Sequence, residues 1–196
     1  MDDWVVVETA QDFRTFLSVL SYDFVRSSEQ WRNRQLPDYL HAWARWLYAS
    51  YLEPGSPDCH QIDPPTWRGF AFQLQQARTR DGPPLRRRLP TVTSWRQVTT
   101  AENFVVFLGW LGDEFRRDQA ELATRAAQGL WAAELAWTSE DLGSYLDTWV
   151  VWSAWAFADG PPPSPVGSSP APQPEGVEPL SWRSCAGQLF AASRYE

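Results

Sequence analysis

Residues Thr9–Phe24 read TAQDFRTFLSVLSYDF, and Thr100–Phe115 read TAENFVVFLGWLGDEF. The two stretches align without a gap. Phe13, Phe16, Leu17, Leu20 and Phe24 stand over Phe104, Phe107, Leu108, Leu111 and Phe115. From Phe13 these positions follow at spacings of three, four, seven and eleven, which places them on one face of an α-helix. Thr9 is the expected N-cap of the first helix. In the second, Thr99 and Glu102 have the spacing of a capping box.

Outward from these stretches the chain continues to repeat itself. Trp31 and Leu36-Pro37-Asp38-Tyr39-Leu40 match Trp137 and Leu142-Gly143-Ser144-Tyr145-Leu146, with Trp43 and Trp46 over Trp149 and Trp152. Pro37 is expected in a first helical turn, where a missing amide hydrogen costs little. Ser139, Glu140 and Asp141 offer a cap and an acidic first turn. Farther on, Trp67-Arg68, Ala71, Gln73-Leu74 and Ala77 match Trp182-Arg183, Ala186, Gln188-Leu189 and Ala192, with Thr66 and Ser181 as caps. Trp4 matches Trp95, so ten of the 13 tryptophans fall into five pairs. Trp110, Trp131 and Trp155 are left over and are the candidates for an exposed patch or a seam.

The expected fold is all-α, with two tandem copies of a small three-helix unit packed as a pseudo-symmetric pair. Copy one spans residues 1–81, a Pro/Arg-rich linker spans 82–94, and copy two spans 95–196. The contact expected between copies is the two first helices, with Trp110 near the seam. An Ala-, Glu- and Arg-rich insertion between Phe115 and Trp137 should lengthen a helix or add one, with Gly129 as the break. A second insertion, residues 159–180, holds eight of the 16 prolines and reads as a polyproline-like loop. Each copy alone is near the lower size limit for a stable core. A buried Trp removes roughly 150–250 Å² from water, which gives the tryptophans a structural reason to exist.

Net charge is -7, unevenly spread. Between Thr100 and Asp159 ten acids stand against three arginines. Such a surface argues against general nucleic-acid binding and fits a basic protein partner. There is no lysine, a bias expected of a GC-rich genome. The N-terminus has no basic start or apolar run of a signal peptide, and no run reaches membrane-spanning length, so a cytoplasmic location and no membrane partner are expected. Two cysteines make no disulfide framework.

No motif carries a reaction. Cys59-His60 with Asp58 and Asp63 has poor metal-ligand spacing, because adjacent residues seldom face one ion. Asp113-Glu114 and Glu140-Asp141 are expected on solvated helix positions. Arg86-Arg87-Arg88 reads as a solvated linker. No catalytic residue, cofactor or metal is implied.

The step Trp31-Arg32-Asn33, the run Tyr39-Leu40-His41-Ala42 and the ending Ala191-Ala192-Ser193-Arg194-Tyr195-Glu196 resemble an uncharacterised bacterial all-helical family, domain of unknown function seventy-six-sixty. The resemblance covers nearly the whole chain as two copies. Copy one closes with Arg80-Asp81 where the family pattern has Tyr-Glu, and copy two has Trp137-Thr138-Ser139 with no Asn. The family implies no activity. The expected function is a non-enzymatic protein-binding module, monomeric, with an immunity or conflict-system accessory role as one version. A small-molecule or sugar binder with an aromatic-lined pocket is the alternative. A third reading is an enzyme with a site between the copies, from Asn33, Tyr195 and Glu196. Candidate contacts are Trp31, Asn33, Trp110, Asp118, Glu121, Tyr195 and Glu196.

Overall fold

A computed structural model of the chain describes residues 3–52, 64–80, 82, 89–128, 141–156 and 180–193. These are helical: α1 (Ala10–Ser27), α2 (Leu36–Leu47), α3 (Trp67–Ala77), α4 (Ala101–Ala127), α5 (Leu142–Ala156) and α6 (Trp182–Ala192), with short 3-10 turns at Asp3–Val6, Ser28–Gln30 and Trp95–Gln97. A single π-turn, Tyr48–Leu52, continues α2. No strand occurs among the described residues.

The helix starts follow from capping chemistry. Thr9 accepts from the Asp12 amide, and the Asp12 carboxylate accepts from the Thr9 amide in return. These donors hold the Asp12 carboxyl below its ordinary pKa, the Thr9 hydroxyl contributing most. Thr66 and Ser181 cap α3 and α6 as expected. Pro37 lies in the first turn of α2.

Two caps differ from expectation. Thr100, not Thr99, caps α4. Thr99 bonds Asn103 through its own amide and hydroxyl, so Asn103 does the work expected of Glu102. At α5 the Asp141 carboxylate accepts from the Ser144 amide (2.8 Å), so Asp141 caps the helix instead of lying in an acidic first turn, and the first turn of α5 carries no acidic residue. Ser139 and Glu140 lie outside the described residues. The insertion after Phe115 lengthens α4, which runs unbroken to Ala127. Gly129 and the loop at 159–180 also fall outside.

The core is aromatic. Trp31, Trp43, Trp149, Trp152, Tyr39, Tyr145, Phe13, Phe70, Phe104 and Phe107 are all fully buried. Their arrangement corrects the expected contact between the two first helices. Among the described residues, α2 lies along α4 and α1 lies along α5, and these are the two most extensive helix contacts; α1 and α4 do not pair. Nor do the chain neighbours α1 and α2 lie along one another. Each half is tied together by its last helix, α3 holding α1 and α2, and α6 holding α4 and α5.

The side-chain geometry of the two halves agrees closely. Phe13 meets Trp67 at 5.1 Å and 38°, and Phe104 meets Trp182 at 5.1 Å and 37°. Between the halves, Phe13 stands edge-on to Trp149 (5.8 Å) and Phe104 stands edge-on to Trp43 (5.5 Å). Tyr39 donates to the Leu74 carbonyl at 2.7 Å, and Tyr145 donates to the Leu189 carbonyl at 2.8 Å. Burial pushes the pKa of both phenols well up.

Candidate functional site

The two helix crossings join the halves and present different chemistry. At α2/α4 the crossing is charged. His41 Nε2 lies 3.0 Å from the Asp113 carboxylate, and Arg116 donates to Asp38 (2.7 Å) while standing 3.6 Å from Asp113. The close approach depends on Gly112. A Cβ there would meet the His41 ring at 3.1 Å and the Pro37 carbonyl at 3.3 Å. Gly109 is different, because a Cβ would meet only His41 Nδ1 at 3.9 Å. Burial, with the Arg116 and Arg45 charges behind it, lowers the His41 pKa against the opposing pull of Asp113.

At α1/α5 the equivalent positions carry Ser21 for Gly112, Tyr22 for Asp113, Val25 for Arg116, Ser144 for Asp38 and Asp147 for His41. The Ser21 hydroxyl donates to the Asp147 carboxylate. Gly143 faces the Phe24 ring, which would stand 3.2 Å from an added Cβ. The outer side of this crossing is apolar. Val19, Tyr22 and Val25, spaced three apart on α1, are 42%, 60% and 69% exposed, and Val151 on α5 is 55% exposed. Arg26 donates to the Tyr22 hydroxyl (3.1 Å) and its guanidinium lies 5.4 Å from the ring centre. With the exception of Val5 and Val6, these four are the exposed large hydrophobics among the described residues. The sequence signal for them was available: Val19-Tyr22-Val25 runs at helical spacing where the second stretch has Trp110-Asp113-Arg116.

The expected contact residues scatter. Trp31 is buried, and its indole N–H donates to Asp23 (2.9 Å) beneath the Arg78 guanidinium, 5.3 Å from its ring centre. A buried, bonded indole has nothing left to offer a partner, so Trp31 is corrected to a core residue. Asn33 is also buried. Its amide donates to the Ala77 carbonyl (2.7 Å) and the Arg80 carbonyl (3.0 Å), tying off the carbonyl end of α3. That corrects Asn33 from a site residue to a capping residue acting from another part of the chain.

Trp110 is half-buried against the core with its ring 5.6 Å from Phe107. Asp118 is half-buried, and exposed Glu121 is ion-paired with Arg125 one turn on. Both sit beyond Phe115, the last buried residue of α4. Tyr195 and Glu196 lie outside the described residues, as do Cys59, His60, Asp58, Asp63 and Arg86 to Arg88. Of the expected carboxylate pair, Asp113 is exposed but bonded to His41, and Glu114 is half-buried and paired with Arg117 (2.6 Å).

The tryptophans form no exposed wall among the described residues. Trp31, Trp43, Trp67, Trp95, Trp149, Trp152 and Trp182 are buried, and Trp46 packs edge-on to Tyr51 and Phe72. The Cys185 thiol is fully buried, which raises its pKa well above the ordinary value and keeps it unreactive. No described helix is long and apolar enough to cross a membrane. No curated protein and no solved structure matches the chain. Residues 9–79, running from the Thr9 cap to just past the end of α3, match the family described as "Family of unknown function (DUF7660)".

Proposed function

We propose that this chain is a non-enzymatic, cytoplasmic protein-binding module built from two tandem copies of one helical unit. The docking surface is the outer side of the α1/α5 crossing. The observation that carries this reading is the exposure of Val19, Tyr22, Val25 and Val151 together on one crossing, while the other crossing is covered by mutually paired charges. Exposed apolar side chains grouped on one face signal an interaction site, whereas isolated ones do not.

The partner in this reading is a protein with an apolar contact surface and a basic rim. The net charge of -7 and the exposed Asp147 carboxylate support the rim. An immunity or conflict-system accessory role is one setting for such a module. The tandem reading is supported by the matched ring geometries.

The test places a photo-crosslinking residue at Tyr22 in the native host and identifies the adduct. Tyr22→Asp with Val25→Asp should abolish binding of that protein and leave the unfolding midpoint unchanged. Binding to wild type should weaken as salt shortens the Debye length below about 8 Å. Retained binding by the double variant would overturn the surface assignment. Salt-independent binding would overturn the basic rim.

A further inference from the structure

We infer that Asp147 is the anchor for one arginine side chain, reaching in from the basic rim of the partner that docks on the α1/α5 crossing. This rests on the reading of that crossing as the docking surface, and it adds which residue on each side sets the choice of partner.

The other crossing shows what is missing here. At α2/α4, His41 lies within reach of two guanidiniums, Arg116 on α4 and Arg45 on α2, whose charges both bear on its ring. Arg116 reaches across to the Asp38 carboxylate of α2 (2.7 Å) and stands 3.6 Å from Asp113. That crossing neutralises its own carboxylates. At α1/α5 the position of His41 carries Asp147, while the positions of Arg116 and Arg45 carry Val25 and Val151. An acid stands at the centre, and both arginines give way to exposed valines. Among the described residues no cation pairs with Asp147, and its carboxylate accepts from the neutral Ser21 hydroxyl. Arg26, one turn beyond Tyr22, is held on the Tyr22 hydroxyl and ring instead.

In the free molecule Asp147 is exposed, and water satisfies its charge at little cost. Docking changes that. Val25 and Val151 hold the two arginine positions beside Asp147, so a partner that covers both valines also takes water from the carboxylate. A carboxylate desolvated with one neutral donor is strongly unfavourable unless a cation meets it. The face therefore rejects a wholly apolar partner and accepts one that brings a positive charge. The apolar surroundings select the kind of cation. A guanidinium is more weakly hydrated than an ammonium, and it gives a carboxylate two parallel donors. Arg116 at the other crossing shows that the scaffold seats a guanidinium against carboxylates at this spacing.

The test selects random peptides, displayed on phage, for binding to the full chain. Those that fail to bind the Tyr22→Asp/Val25→Asp chain are kept as ligands of this face. They should carry an arginine flanked by apolar residues. Replacing that arginine by glutamine should weaken binding about thirtyfold, the scale of an interface hot spot. Asp147→Asn keeps an oxygen for the Ser21 hydroxyl and should leave the unfolding midpoint unchanged. It should weaken binding by the same factor, and the glutamine peptide should then lose nothing further. Face-dependent peptides that bind Asp147→Asn as tightly as wild type would overturn the anchor and leave the docking surface standing. Lysine serving equally well in the peptide would overturn the guanidinium. If every selected peptide binds the Tyr22→Asp/Val25→Asp chain unchanged, the docking surface itself falls, and the anchor with it.

Discussion

The α2/α4 and α1/α5 crossings bury matching ring contacts beneath opposite surface chemistry. At one, a glycine lets an imidazole sink between helices and a carboxylate and a guanidinium cover it. At the other, a serine fills the glycine's place, a carboxylate replaces the imidazole, and the covering positions are Tyr22 and Val25. The buried faces barely differ, since Phe13, Trp67 and Trp149 repeat the geometry of Phe104, Trp182 and Trp43. Packing between halves thus constrains the inner residues closely, while the outer ones differ, paired charges at one crossing and exposed apolar side chains at the other.

The largest expected effect tests the shared part. Trp43→Ala and Trp149→Ala each remove a fully buried indole edge-on to a phenylalanine of the other half, and each should cost roughly 3–5 kcal/mol in chemical denaturation. Similar costs at both sites support equivalent roles. A cost below about 1 kcal/mol at either would show that the halves are not packed alike.

The crossings separate at their glycines. Gly112→Ala gains helix propensity but crowds His41 and the Pro37 carbonyl, for a net loss of about 1–2 kcal/mol. At Gly109 an added Cβ makes only an ordinary contact with His41 Nδ1 (3.9 Å), so Gly109→Ala should stabilise by about 0.4–1 kcal/mol. Equal effects, read from urea midpoints, would remove the close approach as the reason for Gly112.

A smaller asymmetry lies inside the core. Trp43 donates its indole N–H to the Gln73 side chain (3.3 Å), whereas the Trp149 indole N–H and the Gln188 amide oxygen, at equivalent positions, are buried without a hydrogen bond. Trp43→Phe should therefore cost about 1 kcal/mol more than Trp149→Phe, because only the first strands a previously bonded amide. Differential scanning calorimetry of the two variants gives the comparison, and a reversed order would show that the second pair is bonded after all.

The smallest effect is in pH. His41 has a folded pKa below its ordinary value, so the unfolded chain binds the proton more tightly. The His41 contribution is intact above about pH 6.5, the pKa of a free histidine, and is lost as pH falls toward the lowered folded pKa. His41→Asn should reduce the fall in unfolding midpoint between pH 7.5 and pH 5.5. An unchanged fall would mean that Asp113 cancels the cost of burial.

Much of the fold was legible because its determinants are local. Thr9, Thr66 and Ser181 announce helix starts, Pro37 marks a first turn, and the phenylalanine spacing gives the buried faces. Periodicity says which face is covered but not by which helix. The faces of α1 and α4 are nearly interchangeable in pattern, so the pairing of α1 with α5 could not be read from it. The site was less legible for a related reason. Trp31 and Asn33 looked like contacts because they are polar or aromatic residues in a short distinctive motif. Both meet partners distant in the chain, Asn33 at Ala77 and Arg80 and Trp31 under Arg78. Only tertiary structure supplies those partners. The apolar outer side of α1 is written in the spacing of Val19, Tyr22 and Val25, a signal carried by smaller side chains than the tryptophans.

The paired phenol bonds of Tyr39 and Tyr145 have a consequence at the alkaline edge. A tyrosine that ionises gains a charge and loses its hydrogen to donate, and neither Leu74 nor Leu189 offers a tyrosinate anything but another lone pair. Both phenols are held protonated in the fold, so the unfolded chain releases these two protons first as pH rises past about 10. Of the six tyrosines in the chain, these two are optically silent in base until the helices part. Their delayed absorbance change makes the molecule carry its own built-in indicator of unfolding, one dye in each half.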